Sequence, residues 1–290
     1  MTTTATHSLE VPDATLVYDV HGPSPAADGT PPLLLVGQPM DATGFATLAS
    51  FFPDRTVVTY DPRGLGRSTR TDGAMNRPEQ QARDLSLLIA ALGAGPVDVF
   101  GSSGGAVTSL ALVTAHPDLV RTLVAHEPPL LGVLPDAEQA FAAERRILEA
   151  YHQRGWGAGM ATFIALTSWP GEFTAAFADP PLDPAAFGLP AGDDGARDDP
   201  LLSGASAPVT AYRPDVDALR ATSTRVVIAA GIESQGLLTW RASAALAAAL
   251  GQELAVFPSH HGGFLGPESG HGGQPEAFAA RLREVLADAG

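Results

Sequence analysis

The chain has 290 residues, 45% of them hydrophobic, which suffices for one large core with room for an inserted subdomain. Its 17 basic residues stand against 32 acidic ones, a formal net charge of −15 that argues against nucleic acid or an anionic membrane surface as partner. There is no cysteine, and every basic residue is an arginine, so disulfides, thiolate metal sites, a cysteine nucleophile, a lysine Schiff base and the lysine of a phosphate-binding loop are all excluded.

The first ten residues carry no basic segment ahead of an apolar run, and no apolar run is long enough to span a membrane. The expectation is a cytoplasmic protein without a signal peptide. Residues 8–11 and 16–20 read as two short strands around a turn at Pro12-Asp13-Ala14, a hairpin at a sheet edge. A loop rich in Gly, Pro and Ala leads to Leu33-Leu34-Leu35-Val36, a continuous apolar run of the kind buried on both faces of a parallel sheet. Gly37-Gln38-Pro39-Met40 ends that strand, and a short helix is predicted over 44–52. The strand at 56–60 runs into Asp61-Pro62-Arg63-Gly64-Leu65-Gly66-Arg67-Ser68, where Asp61 and Arg63 are expected to fix the turn by hydrogen bonds. Residues 78–92 have helical spacing at Leu85, Leu88, Ile89 and Leu92, with Pro78 at the start and Gly93 just past the end.

The segment around which the rest is organised comes next. Val97, Val99 and Phe100 make a buried strand, Gly101-Ser102-Ser103-Gly104-Gly105 follows at once, and residues 106–116 have helical composition up to Pro117. Strand, Gly-rich turn and helix are the context that a G-x-S-x-G nucleophile turn needs. Ser103 would sit at its apex with the hydroxyl raised off the sheet. Gly101 and Gly105 would flank it because a side chain there would strike a neighbouring element. The free N–H groups of the helix below would stabilise a developing oxyanion.

A strand at 121–125 ends in His126-Glu127-Pro128-Pro129. Residues 130–217 then change character: a helix over 137–155, a second over 159–167, and a tract rich in Pro, Gly and Asp through Pro200, without the period-two pattern of strands. This segment is expected to be a helical insertion covering the site. Alternation resumes with a strand at 225–230, a helix at 238–250 closed by Gly251, a strand at 254–257 and a last helix at 276–287. Repeated strand–helix units predict an α/β fold, a parallel sheet with helices on both faces and reactive groups at the carboxyl ends of its strands.

The chain resembles the α/β-hydrolase superfamily over nearly its whole length. The likeness rests on Gly101-Ser102-Ser103-Gly104-Gly105, the 61–68 turn, the strand and loop from Leu33 to Pro39, and a histidine after the last strand. It implies an eight-stranded, mostly parallel α/β-hydrolase sheet, with the core formed by residues 1–129 and 218–290 and a helical cap by 130–217. It also implies a Ser–acid–His triad with no metal and no organic cofactor. With Ser103 as nucleophile, the base is expected late in the chain, at His261, with His271 and His260 as alternatives. The acid is left between Glu127, at the tip of the strand that follows the nucleophile helix, and Glu233, in the loop where the superfamily more often carries it. The oxyanion donors implied are the backbone N–H groups of Gly104 and Gln38; Val36 stands where many relatives carry a histidine. A small-molecule substrate with an ester, lactone or thioester bond is the expected target. A cofactor-free lyase, a peroxidase-like enzyme, a C–C bond hydrolase or a non-catalytic ligand-binding protein on the same scaffold are the competing readings. Trp156, Phe163, Trp169, Phe173 and Phe177 could line an apolar pocket or only pack the cap onto the core. Oligomeric state is not legible.

Overall fold

The structure, a computed structural model, describes residues 4–23, 29–73, 75–177, 179–270 and 272–287. Among them run eight strands: β1 (Thr4–Val11), β2 (Ala14–His21), β3 (Leu33–Val36), β4 (Val57–Asp61), β5 (Val97–Ser102), β6 (Val120–His126), β7 (Arg225–Gly231) and β8 (Ala255–Phe257). They form one sheet in the order β1-β2-β4-β3-β5-β6-β7-β8. The β1–β2 and β2–β4 pairs are antiparallel and every other pair is parallel. The fold is the expected one: a mostly parallel sheet with helices on both faces.

The apolar run of β3 divides between the two faces, as pleating requires. Leu34 and Val36 join a core cluster with α2 (Pro78–Leu92) and α3 (Gly104–Ala115), while Leu33 and Leu35 face the other layer. That second layer holds Phe45 and Phe52, which flank α1 (Ala46–Ser50), Leu48 within it, and Phe278 and Leu282 of the C-terminal helix Pro275–Ala287. A strand with both faces covered shows no polar alternation, which is why the sequence run is continuous.

Between β6 and β7 lie α4 (Ala137–Arg154), α5 (Trp156–Thr167) and two short helices, α6 (Ala207–Thr210) and α7 (Val216–Ala221). The helix predicted to start at 159 begins at Trp156, directly after Gly155, whose φ of +86° breaks α4 from α5. The expected boundary between residues 217 and 218 falls inside α7, which packs on α3 and on α8 (Leu238–Leu250). The Trp169, Phe173 and Phe177 rings pack on one another at 5.5–6.3 Å, with both phenylalanines buried. The Trp156 indole N–H donates to Asp199. For these four residues packing is the observed role. The last helix, α9, is Pro275–Ala287. Among the described residues, no helix is long and apolar enough to cross a membrane.

Candidate active site

The β5–α3 turn is built by close approach. A Cβ on Gly101 would lie 2.7 Å from the Ser109 hydroxyl and 2.8 Å from the Gly105 carbonyl, inside the following helix. A Cβ on Gly105 would overlap the Val36 carbonyl of β3. With both neighbours pressed in, the chain can reverse only through a backbone conformation that L-residues avoid, and Ser103 takes it, at φ +57° and ψ −126°. Such a conformation costs about 1–3 kcal/mol and persists where the surroundings impose it. Gly101, Ser102, Gly104 and Gly105 are buried, and Ser103 alone in the turn is partly exposed. The Ser103 N–H continues the ladder to β6 by donating to the His126 carbonyl at 2.9 Å, so the hydroxyl stands at the carboxyl end of the sheet.

Glu127 follows directly at the end of β6 and is fully buried. It too has a left-handed backbone, φ +51°, and this turns the residue toward β7. Its N–H donates to the Ala229 carbonyl at 2.9 Å, and its Oε1 accepts the Gly231 N–H at 2.9 Å. The carboxylate therefore crosses from its own strand to the end of the next one. Its Oε2 lies 2.6 Å from Nδ1 of His261 and accepts the Thr239 hydroxyl at 2.6 Å. Burial works against ionisation, but the hydrogen bond and charge of His261, the nearby His126 and the Thr239 donor outweigh it and hold the carboxyl well below the usual glutamate range.

His261 is presented by the loop after β8. Ser259 adopts φ +68°, and the Gly231 backbone sits so close that a Cβ there would lie 2.5 Å from the Ser259 carbonyl. The imidazole side chain is 43% exposed, so one edge rests on Glu127 while the other stays open. Among the described residues, no hydrogen bond joins the Ser103 hydroxyl to this ring; such contacts commonly tighten only when substrate is bound. His260 is occupied locally, with its Nδ1 accepting the Gly262 N–H at 3.0 Å. His271 lies outside the described residues.

The carboxylate of Glu233 is not brought to His261. The residue sits in a 3-10 turn (Ile232–Ser234), exposed, and its Oε1 accepts from the Gln274 side chain at 3.1 Å. Its contribution to the histidine loop is a backbone one, the Glu233 N–H donating to the Ser259 carbonyl at 2.9 Å. It is the carboxylate of Glu127, reaching across from β6 to the end of β7, that meets His261.

Gly104 is the first residue of α3, so its N–H has no acceptor within the helix. Gln38 lies against it: a Cβ on Gly104 would be 2.7 Å from the Gln38 carbonyl and 3.0 Å from the Gln38 Cβ. The loop that carries Gln38 is tied down by Asp61, which accepts the Ala42 N–H at 2.9 Å and the Arg67 N–H at 2.8 Å. Arg63 pairs through both its Nε and Nη2 with Asp84 of α2 at 2.6–2.7 Å. Asp61 and Arg63 thus fix the turn, although Arg63 does so through partners outside it, Asp84 of α2, Asp72 and the Pro12 carbonyl.

A strand–turn–helix serine, an acid–histidine pair and an eight-stranded sheet of this order define a known scaffold. A family model described as the alpha/beta hydrolase fold matches residues 33–161. The fold also overlays, at a TM-score of 0.65 and 23% identity, on a thermophilic esterase from Thermogutta terrifontis, covering 100% of this chain and 99% of that one. The chain has the α/β-hydrolase fold. An enol-lactonase from Burkholderia xenovorans LB400 gives a TM-score of 0.64 at 17% identity, with 97% and 100% of the two chains covered. At these identities the likeness is one of fold. In sequence, the chain is 39% identical over 129 residues to the uncharacterized hydrolase YraK of Bacillus subtilis (strain 168), a match spanning 44% of this chain and 46% of that protein. The chain matches less than half the length of its curated relatives.

Within the superfamily scaffold, two features escape a reading of the sequence. Thr239, on α8, reaches the buried carboxylate; nothing in its local pattern distinguishes it from an ordinary residue of a helix first turn. His126 is fully buried, and neither ring nitrogen has a hydrogen-bond partner. Its ring packs on Phe100, Phe257 and Phe278 at 5.2–5.9 Å and lies 6.3 Å from that of His261. Burial pushes its pKa down from 6.5 to about 4, with Glu127 opposing the shift, so at neutral pH it is an uncharged neighbour of the Glu127–His261 pair.

Proposed function

We propose that the protein is a serine hydrolase that cleaves a small carboxylic ester, lactone or thioester through an acyl-serine intermediate. The observation that carries this reading is the 2.6 Å contact between the buried Glu127 carboxylate and His261 Nδ1, at the same sheet edge as the strained turn of Ser103. A serine hydroxyl is a weak nucleophile until a base takes its proton. Glu127 fixes Nδ1 of His261 as the protonated nitrogen, which leaves Nε2 as the free base. Nε2 takes the Ser103 proton while Oγ attacks the carbonyl carbon. The N–H groups of Gly104 and Gln38 receive the negative charge that develops on the carbonyl oxygen. Collapse breaks the bond to the leaving oxygen or sulfur, which takes the proton from His261. Water activated by the same Nε2 then releases the acid and restores Ser103. Glu127 stays ionised throughout.

Residues 130–217 act in this proposal as a cap that excludes water and selects the substrate. A cytoplasmic location fits the cysteine-free composition. The hydrolase name borne by YraK agrees with the reaction class. The test is turnover of a chromogenic short-chain ester. Ser103→Ala is expected to lose activity by 10³-fold or more, on the order of what removal of a triad member costs, while circular dichroism stays that of the wild type. Equal turnover by the two proteins would defeat the reading.

A further inference from the structure

Glu127 is a fully buried ionised carboxylate, and three donors meet it from three different segments. Gly231 N–H, from the end of β7, binds Oε1, while His261 Nδ1 and the Thr239 hydroxyl, each at 2.6 Å, share Oε2. Two donors on one oxygen fix the rotation of the carboxylate about its terminal bond. One of the two is the group whose tautomer the carboxylate must set.

The Thr239 hydroxyl is not needed by its own helix. Threonine within a helix commonly bonds a carbonyl three or four residues back, as Ser243 does here to the Thr239 carbonyl at 2.7 Å. Thr239 instead points its hydroxyl out of α8 at the neighbouring charge. Its helix turn is held independently. The Arg241 guanidinium pairs with Asp136 and donates to the Gly171 carbonyl at 2.6 Å, and the Gly171 N–H donates to the Gly236 carbonyl at 2.9 Å. The donor is thus delivered by a turn clamped against the segment between β6 and β7. The titratable groups facing Glu127 are His261 from the loop after β8 and His126 from its own strand, whereas Arg241 of α8 is directed to Asp136 and Glu233 of the β7 loop to Gln274.

We propose that Thr239 is a positioning residue of the triad: its hydroxyl orients the Glu127 carboxylate and draws off part of the charge that His261 sees. The inference rests on the serine-hydrolase reading above. Without the hydroxyl, Oε2 keeps His261 Nδ1 as its single donor: the carboxylate loses one restraint on its orientation, and its undivided charge attracts the His261 proton more strongly.

The experiment follows labelling of Ser103 by an alkyl fluorophosphonate, in which the serine oxygen bonds to phosphorus, fluoride leaves and the proton passes to His261. Rates are measured against pH for the wild-type chain, Thr239→Val, Thr239→Ala and Thr239→Ser. Thr239→Val and Thr239→Ala are expected to label about 10-fold more slowly at the plateau, on the order of losing one hydrogen bond to a charged group. Their acid limb should move to higher pH by about half a unit or more. Thr239→Ser is expected to recover most of the rate and the wild-type limb. A residue that only stabilises α8 would lower the melting temperature and leave both rate and limb in place. That result, a limb moving to lower pH, or failure of Thr239→Ser to rescue would each overturn the inference while leaving the Ser103 reading intact. Absence of labelling in the wild type itself would overturn the reading of the site and this inference with it.

Discussion

Four described residues other than glycine have a positive φ, a conformation that L-amino acids avoid, and two of them stand in the proposed triad: Ser103 at φ +57° and Glu127 at φ +51°. Each of these two lies where backbones pack closely, at Gly105 against β3 and at the meeting of β6 with β7. Glu127→Gln should keep this geometry but present the wrong hydrogen-bonding pattern to the imidazole, with an expected loss in kcat of about 10³–10⁴-fold. Glu233→Gln, which alters a side chain hydrogen-bonded to Gln274 and leaves the backbone bond to Ser259 in place, should stay within about twofold of wild type. Steady-state kinetics of the two variants separates them. At the residue scale, then, the serine was legible from its flanking glycines, while the acid was not. Spacing left Glu127 and Glu233 both possible, because the choice is made by a left-handed backbone at one residue and by contacts between segments about 100 residues apart in sequence. The neutral His126 yields a pH prediction. Its pKa falls from 6.5 to about 4 on folding, so the unfolded chain binds more protons in that window and stability drops as pH falls through it. The full interval corresponds to an upper bound of about 3 kcal/mol. His126→Phe should remove that part of the loss, read as the change in urea midpoint between pH 7 and pH 4.5.

The elements show why Ser103 sits where it does. β3, β5 and α3 approach at Gly101 and Gly105 with no room for a methyl group. Gly105→Ala would force the helix off β3 and shift the turn, with an expected cost of about 3 kcal/mol or more in chemical denaturation and loss of activity in whatever fraction folds. The strands and long helices were readable because each buries an apolar pattern longer than a turn. The exceptions have physical causes. β1 begins at Thr4, ahead of the residue 8 expected, because a polar edge strand is held by backbone pairing to β2 and not by buried side chains. The helix expected over 44–52 is a 3-10 turn, Ala42–Phe45, followed by a single α-helical turn. The short helices α6 and α7 span four and six residues, too few for periodicity to register.

At the scale of the molecule, the sheet gathers the carboxyl ends of β5, β6 and β7 with the loop after β8, so residues spread from 103 to 261 meet at one edge. The segment between β6 and β7 is tied to that edge by Asp136, which accepts the Phe173 N–H at 2.6 Å and pairs with Arg241. Burial opposes the charge of Asp136, but the Arg241 and Phe173 donors outweigh it and lower its pKa. Asp136→Asn should weaken this tie by about 1–3 kcal/mol, the cost of an imperfectly satisfied partly buried pair, and hydrogen exchange should rise first in residues 136–177. The central claim is that one hydroxyl, Ser103, is made nucleophilic by His261 under the control of Glu127. Fluorophosphonate labelling read by tandem mass spectrometry tests it most directly. The account predicts a single phosphonylated residue, Ser103, with labelling abolished in Ser103→Ala and slowed at least 10²-fold in His261→Ala. Modification at another residue, or unchanged labelling of Ser103 in His261→Ala, would contradict it.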